Sequence, residues 1–431
     1  MERSILYDFK FYGEKMSWDK LKKITFLRFN ILKDYLTVSS SLLISRILGG
    51  LITILIARSL GNIGFASFSA GFFIMTILGN CTAGIDKTFV FQFVSLKGRR
   101  KESILSLYTL LKLYILLLIM VVTILILFSF RNSFNFDVRF AIFGAIFSVS
   151  FWILTYISSI YQALQKFKLY GKTQIIYYLA VFLMVMTLFL LKFNNGYLYL
   201  FVYFVGALVL AIFLLPFKNL KIISSQKELA KLLQKAKWLI LSEIVWLIFV
   251  RLDYFTVSQF ISPVELGNYA LALRMINVIM IFVSSLSLYI LPKAAEIDSL
   301  KKLRKFWKIS LGIGISLIGF NIILFLLAKP IVLIFFGREY LPAVKFFRLM
   351  ILAYLPTIFF PPFKYLILRF SKKIHYFIFN GILLATYLIF LRMFELKFGS
   401  NGPIFIKGLS FLATLLFGVT LYLTNKRRNL K

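Results

Sequence analysis

The sequence predicts an all-α polytopic membrane protein with twelve transmembrane helices in two six-helix lobes, related by a parallel pseudo-two-fold axis along the membrane normal. Three observations lead to this fold class. Apolar segments recur between residues 38 and 424 of the 431-residue chain, and about 20 apolar residues suffice to cross the hydrocarbon core. The connections between these segments alternate between rich and poor in Lys and Arg. One long basic connection divides the segments equally.

The twelve segments can be placed along the chain from their hydropathy. They run over residues 38–60, 64–85, 105–130, 138–162, 174–192, 197–217, 238–260, 268–291, 306–328, 343–368, 374–394 and 403–424. Residues 38–217 form the predicted N-lobe, 218–237 a cytoplasmic linker and 238–424 the predicted C-lobe. A basic arm, 1–37, precedes them and a tail, 425–431, follows. The arm contains no long apolar core, so it is not predicted to be a cleavable signal peptide.

The distribution of Lys and Arg predicts that both termini lie in the cytoplasm. The arm, the tail and every second connection carry at least three basic residues each, and the other connections carry at most two. Such an excess is typical of cytoplasmic loops. Because each lobe has an even number of spans, both lobes start on the same side, and a repeat relating them is parallel. Membrane segments interrupt the basic stretches, which favours anionic lipids as partners over nucleic acid.

Two local patterns refine this organisation. Aligning Asn62 with Pro263 brings Ala66 opposite Gly267 and Phe68 opposite Tyr269. Each half therefore has a tight outer turn that leads into a helix with a small residue and an aromatic residue. The tenth segment contains three prolines, which remove backbone hydrogen bonds and predict a break in that helix. They are Pro356, Pro361 and Pro362.

Composition excludes several kinds of site. Hydrophobic residues make up 60% of the chain and aromatic residues 18%, although the formal net charge is +35. The single cysteine, Cys81, and the single histidine, His375, leave no plausible ligand set for zinc or haem. We therefore expect no metal and no cofactor. The outer connections are short and the chain has no Asp-x-Asp cluster, which favours a transporter over a membrane enzyme.

Four arginines within the spans are the candidate binding residues. A charge at the membrane centre costs about 2.5–3.5 kcal/mol on insertion scales, so each must find a partner, an interface or water. Arg46 and Arg274 lie nearest mid-span, and we predict a polar interior around them. Arg251 lies in the seventh span, which corresponds to the first. Arg58 lies near an outer end, where contact with headgroups is an alternative.

Three carboxylates near the spans are candidates for coupling to an ion or proton, although we expect them to pair with arginines. They are Asp86, Glu243 and Asp253. Asp253 lies two residues from Arg251, so the two side chains do not face each other on one helix. Basic residues nearer the span ends are expected to anchor at the interface. They are Lys112, Lys345, Arg348, Lys364 and Lys407.

Guanidinium groups from two lobes suit a large anionic ligand, because the planar fork of arginine binds two oxygens of a phosphate. Four stretches of the chain carry a family resemblance as well. They are Arg46–Gly49 with Leu60–Gly61, Gly84–Lys87, Arg251–Asp253 with Gly267–Arg274 and Leu291–Pro292, and Phe336–Tyr340 with Phe370–Lys373. With the twelve spans, these stretches resemble the polysaccharide flippases of the multidrug/oligosaccharidyl-lipid/polysaccharide exporter superfamily, closest to the O-antigen (Wzx-type) branch.

The resemblance implies two lobes that open alternately to each side of a bacterial inner membrane. It implies a cargo of undecaprenyl diphosphate carrying a short oligosaccharide, moved to the outer leaflet. Arg46, Arg58, Arg251 and Arg274 are then the expected anion contacts. Polysaccharide polymerase and chain-length proteins are further candidate partners. Two alternatives stay open: an ion-coupled drug or metabolite exporter of the same superfamily, and a membrane glycosyltransferase or polymerase, which the short outer loops disfavour.

Overall fold

The computed structural model describes the backbone of residues 18–95, 99–214, 226–295, 297, 299–371 and 373–429. Within these ranges the chain is helical and contains no β-strand. Most of the predicted arm, at residues 1–17, lies outside the described residues. So do residues 215–225, which comprise the last three residues of the predicted N-lobe and the first part of the predicted linker. The lobe boundary at 218–237 therefore stays a prediction.

The helices fall into two groups along the chain. The first half contains α1 (Trp18–Asn80), α2 (Ala83–Ser95), α3 (Arg99–Ser129), α4 (Val138–Phe147), α5 (Val149–Ala163), α6 (Phe167–Leu190) and α7 (Gly196–Leu214). The second half contains α8 (Gln226–Val257), α9 (Pro263–Ala295), α10 (Leu300–Leu326), α11 (Ala328–Phe335), α12 (Ala343–Tyr354), α13 (Phe360–Phe370), α14 (Lys373–Phe398) and α15 (Gly402–Asn429).

Every predicted span lies on one or two of these helices. Eight stretches of the described chain are long and apolar enough to cross a membrane. Two of them, Ser40–Val90 and Ile374–Thr424, are 51 residues long and hold two predicted spans each. The helices α8 and α9 carry the remaining two predicted spans.

The first two spans are two helices that meet at a kink at Gly61, without a separate loop between them, and we treat them together as α1. At Gly61 the backbone has φ +61° and ψ −179°, a conformation that glycine adopts without the penalty of a β-carbon. The chain therefore reverses direction within α1 where the sequence predicts an outer turn. In the tenth span, a 3-10 turn at Leu355–Phe359 separates α12 from α13, which confirms the break predicted from its prolines.

The two halves pack around α1. Within the first half this helix lies against α4 and α6, and across the halves it lies against α9. A second cross-contact joins α2 to α8, while α14 packs between α8 and α15 within the second half. This arrangement brings α1, α2, α8 and α9 to the centre of the molecule, where they surround the cavity described next.

Candidate functional site

A cavity of about 760 Å³ lies between the two halves. Its walls are formed by α1, α2, α5, α6 and α7 of the first half and by α8 and α9 of the second. A volume of this size lies within the range of small-molecule binding sites. The cavity is therefore the candidate functional site.

Arg274 on α9 lines this cavity while its side chain is largely buried, with 8% of the residue exposed. Its Nη1 donates to Thr53 Oγ1 at 3.3 Å. The Tyr203 hydroxyl also lies beside this guanidinium group. Within the described part of the chain, Nε and Nη2 make no well-formed hydrogen bond. Because buried N–H groups rarely stay unpaired, this guanidinium group has unused capacity to bind an anion.

Aromatic rings hold the Arg274 guanidinium group in place. Its central carbon lies 4.2 Å from the centroid of Phe72, with Phe65, Phe68 and Phe73 between 5.1 and 5.8 Å away. Ring faces attract a guanidinium cation but carry no charge. They therefore position the group without neutralising it.

Arg251 and Arg46 line the same cavity from α8 and α1. The guanidinium carbon of Arg251 lies 4.4 Å from the centroid of Phe73, and Arg46 is exposed. Among the residues that the structure describes, no carboxylate lies within ion-pair distance of Arg46, Arg251 or Arg274. The structure thus brings three of the four predicted arginines together, and their charges are not cancelled by ion pairs there.

The fourth arginine, Arg58, lies away from this cavity. Its Nε and Nη2 donate to the carbonyl oxygens of Phe335 and Ile334, each at 2.7 Å. These carbonyls end α11, and a cation at a helix C-terminus is favourable because of the helix dipole. Arg58 therefore ties α1 to the second half of the chain.

Arg58 belongs to a contact between the halves at the end of the bundle where α1 kinks, which we call the kink-end contact. The backbone N–H of Asn62 donates to Glu339 Oε1 at 2.8 Å, and its side-chain Nδ2 donates to the Glu339 carbonyl at 3.0 Å. A β-carbon at Gly267 would lie 2.1 Å from the Asn62 carbonyl oxygen. The two repeat-like turns identified in the sequence therefore meet here, and they close this end of the bundle.

The carboxylates that were expected to pair with arginines pair with lysines instead. Asp86 accepts hydrogen bonds from Lys112 Nζ at 2.8 and 2.9 Å and from the Tyr108 hydroxyl at 2.8 Å. Lys112 has no exposed surface. The expectation that Lys112 anchors at the membrane interface is therefore wrong, since its ammonium group is needed to balance a buried carboxylate.

The second half contains a similar buried pair. Lys407 Nζ lies 2.7 Å from Asp253 Oδ1, and the Tyr269 hydroxyl donates to Asp253 Oδ2 at 2.8 Å. Lys407 also donates to the Val250 carbonyl at 2.9 Å and to the Tyr354 hydroxyl at 3.0 Å. It is only 1% exposed, so it too is not an interface anchor.

Glu243, the third candidate carboxylate, forms an ion pair between the halves. Its Oε1 lies 2.6 Å from Lys87 Nζ, which joins α8 to α2. The Lys87 side chain is half exposed, whereas that of Glu243 is largely buried. Because one partner remains in contact with solvent, this pair contributes less than the two buried ones.

Outside the spanning segments, Asp137 carries a carboxylate with a lowered pKa. Burial opposes this shift, but hydrogen bonds from Arg139 and Tyr197 outweigh it. The Asp137 oxygens accept from the Arg139 backbone N–H and Nε, each at 3.0 Å, and from the Tyr197 hydroxyl at 2.9 Å. Asp137 therefore caps α4 and holds it to the start of α7.

Sequence reasoning identified the arginines but missed the rings that hold them. Phe65, Phe68 and Phe72 are spaced three and four residues apart, so they share one face of α1. That spacing is a detectable signal, although in a chain with 50 Phe residues it has little specificity. No local pattern in the sequence indicates that these lysines pair with the carboxylates, because each lysine lies on a different helix from its partner.

The helical bundle and its central cavity define a two-lobed, multi-pass membrane protein. A family model described as polysaccharide biosynthesis protein matches residues 31–298. The chain belongs to this family. A search of curated protein sequences gave no significant match.

Solved structures of transporters share the fold over most of the chain. The lipid II flippase MurJ in an inward closed conformation matches with a TM-score of 0.70 and 18% identity, over 89% of this chain and 87% of that one. An inward-facing multidrug resistance MATE family transporter of the MOP superfamily matches with a TM-score of 0.66 and 14% identity, over 90% and 99%. The MATE multidrug transporter DinF-BH matches with a TM-score of 0.66 and 14% identity, over 97% and 99%.

These likenesses confirm the predicted fold class and the predicted resemblance to the exporter superfamily. Together with the family match, they identify a polytopic membrane protein of polysaccharide biosynthesis with a transporter fold. At these levels of identity the structural likeness establishes the fold, and the cargo must be argued from the cavity itself.

Proposed function

We propose that the protein is a flippase that moves undecaprenyl-diphosphate-linked oligosaccharide, an O-antigen or related unit, to the outer leaflet of a bacterial inner membrane. The observation that carries the proposal is a cavity between the halves that Arg46, Arg251 and Arg274 line without carboxylate partners in the described chain. A diphosphate supplies oxygen atoms that accept hydrogen bonds from such guanidinium groups. Membership of a polysaccharide biosynthesis family supports a glycosylated cargo.

Alternating access requires that the halves separate at one end while they meet at the other. The distribution of Lys and Arg predicts that the termini are cytoplasmic, so the kink-end contact faces outward in this proposal. Opening of that contact then releases the cargo to the outer leaflet. Anionic lipids contact the basic cytoplasmic connections, and a polysaccharide polymerase and chain-length proteins use the delivered product.

The alternative function, an ion-coupled drug exporter, is less well supported by the charges. Coupling to a cation is easiest with a carboxylate that is free to bind it, yet Asp86 and Asp253 are each paired with a buried lysine. Glu243 is paired with Lys87. A cavity lined by arginines also repels a cationic drug. Transport of an anion accounts for the same residues without added assumptions.

A deletion strain tests the proposal directly. Loss of the protein should cause lipid-linked oligosaccharide to accumulate on the inner leaflet. Complementation with Arg274→Gln or Arg251→Gln should lower transport about 10-fold or more, because hydrogen bonds to charged groups contribute about 1.5–3 kcal/mol each. The exposed Arg304 lies outside the cavity, so Arg304→Gln is the matched control.

Two results would overturn the proposal. The first is a deletion strain without accumulation and with unchanged surface polymer. The second is full transport by an Arg46→Ala, Arg274→Ala double variant at a normal protein level, which would remove the assigned anion site.

A further inference from the structure

The helix α5 presents a continuous row of side chains to the cavity. The α5 residues that line it are Phe151, Leu154, Thr155, Ser158, Ser159 and Gln162. They follow the helical pattern i, i+3, i+4, i+7, i+8, i+11, so they share one face of the helix. At 1.5 Å per residue the row is roughly 16 Å long. Beyond Phe151 and Leu154, each of these side chains is polar and uncharged, unlike the arginines elsewhere in the cavity.

The neighbouring helix α6 extends this surface, which we call the α5–α6 wall. Tyr170, Gln174 and Tyr178 line the cavity from α6. Gln174 Nε2 donates to Ser158 Oγ at 2.8 Å, which fixes the two side chains relative to each other. The wall thus combines hydroxyl and carboxamide groups with two tyrosine rings on a rigid pair of helices.

The wall begins beside the arginine site. The ring of Phe151 lies 5.9 Å from that of Phe72, and Phe72 carries the Arg274 guanidinium group at 4.2 Å. Further along, Thr155 Oγ1 accepts a hydrogen bond at 2.9 Å from the buried Lys112. A ligand whose anionic group contacts Arg274 can therefore extend along the wall without leaving the cavity.

We propose that the α5–α6 wall is a carbohydrate subsite that binds the sugar portion of the cargo. The inference rests on the proposed function and adds the part of the cavity that selects the glycan. Hydroxyl and carboxamide groups both donate and accept hydrogen bonds, as sugar hydroxyl and acetamido groups require. Tyrosine rings provide flat apolar surface for the apolar faces of a sugar. The Ser158 hydroxyl hydrogen and the Gln174 carbonyl oxygen remain available beyond the bond between these two side chains. A polyprenyl chain would leave such groups unpaired at a cost in free energy.

Binding measurements on the full-length protein in lipid nanodiscs test this subsite. The probes are a short-chain polyprenyl diphosphate without sugar and the same compound bearing either an N-acetylhexosamine or a neutral hexose. The wild-type protein should bind at least one glycosylated probe about 10-fold more tightly than the sugar-free probe. Gln162→Leu and Gln174→Leu should remove this preference while the affinity for the sugar-free probe stays within two-fold.

Two controls separate this inference from the proposed function. Gln259→Leu changes an exposed glutamine outside the cavity and should behave as wild type. Arg274→Gln should weaken binding of all three probes by a similar factor. Size-exclusion profiles identify any variant that fails to fold.

Each outcome bears on one proposal or on both. A wild-type protein that binds the sugar-free and both glycosylated probes equally overturns the carbohydrate subsite alone. So does a sugar preference that survives in both wall variants. If Arg274→Gln leaves every affinity unchanged, the anion site of the proposed function fails, although loss of preference in the wall variants would still support the subsite. If none of the three probes binds to the wild-type protein, both proposals are overturned.

Discussion

The buried pair between Asp253 and Lys407 provides a direct test of the electrostatics described above. The perturbation is Lys407→Met, which keeps most of the apolar stem and removes the ammonium group. Asp253 is fully buried and Lys407 is 1% exposed, with 2.7 Å between their charged atoms. In the variant, Asp253 retains the hydrogen bond from Tyr269 but loses its counter-charge. A carboxylate in that position is not compensated by solvent.

The size of the effect follows from this burial. Removal of one partner from a buried ion pair destabilises a protein by about 3–5 kcal/mol. For a large domain each kcal/mol corresponds to roughly 2 °C or more in the thermal midpoint, so we expect a decrease of roughly 6–10 °C. The double variant Asp253→Asn, Lys407→Met removes both charges and should recover most of this loss, because a neutral pair has no uncompensated charge.

The assay is the fraction of protein that remains monodisperse after heating in detergent, followed by fluorescence-detected chromatography. Lys345→Met, which removes an exposed ammonium group, is the matched control and should leave the midpoint nearly unchanged. If the double variant is as unstable as Lys407→Met, the loss comes from packing and not from the charge on Asp253. That result would refute the reasoning.

Three further predictions use the same assay. Gly267→Ala places a methyl group 2.1 Å from the Asn62 carbonyl and should lower the midpoint by roughly 2–6 °C, the range expected for overpacking; no change would contradict the close contact. Lys87→Met breaks a half-exposed pair and should cost under about 1 kcal/mol, so a loss as large as that of Lys407→Met would contradict the ranking. Asp137 has a lowered pKa, so its stabilisation is complete above the ordinary value of 3.8 and is lost as the pH falls. The midpoint difference between wild type and Asp137→Asn should therefore shrink as the pH falls below 3.8, and a difference that stays constant there would contradict it.

The spans were predictable because the membrane imposes a simple rule on every segment. A helix of about 20 apolar residues satisfies its own backbone hydrogen bonds within the bilayer. Glycine and proline then mark the breaks, as at Gly61 and Pro356. Hydropathy did not predict the division of span 138–162 into α4 and α5. The segment is apolar on both sides of Ser148, where α4 ends and α5 begins. Because the break does not change the hydropathy of the segment, hydropathy could not locate it.

The cavity arginines were predictable for a similar reason, but the ion-pair partners were not. A charge within an apolar segment can be recognised from the sequence, as for Arg274, because lipid does not tolerate it. The choice of partner depends on how helices pack. Lys112 meets Asp86 from 26 residues away and Lys407 meets Asp253 from over 150 residues away, distances at which helical periodicity carries no information. The expectation that these lysines anchor at the membrane interface was wrong because the sequence could not indicate their distant partners.

The strengths of the contacts differ within and between the halves in a way that suits alternating access. Asp86 with Lys112 and Asp253 with Lys407 are buried ion pairs that each lie within one half, and breaking them would leave an uncompensated charge. The kink-end contact is instead formed by hydrogen bonds, from Arg58 to two carbonyls and from Asn62 to Glu339. Those that involve a charged group contribute about 1.5–3 kcal/mol each. Water can replace these partners when the halves part. Under the proposed alternating access, each half keeps its buried ion pair, and the contacts that must break are those between the halves, at the kink end or between Lys87 and Glu243.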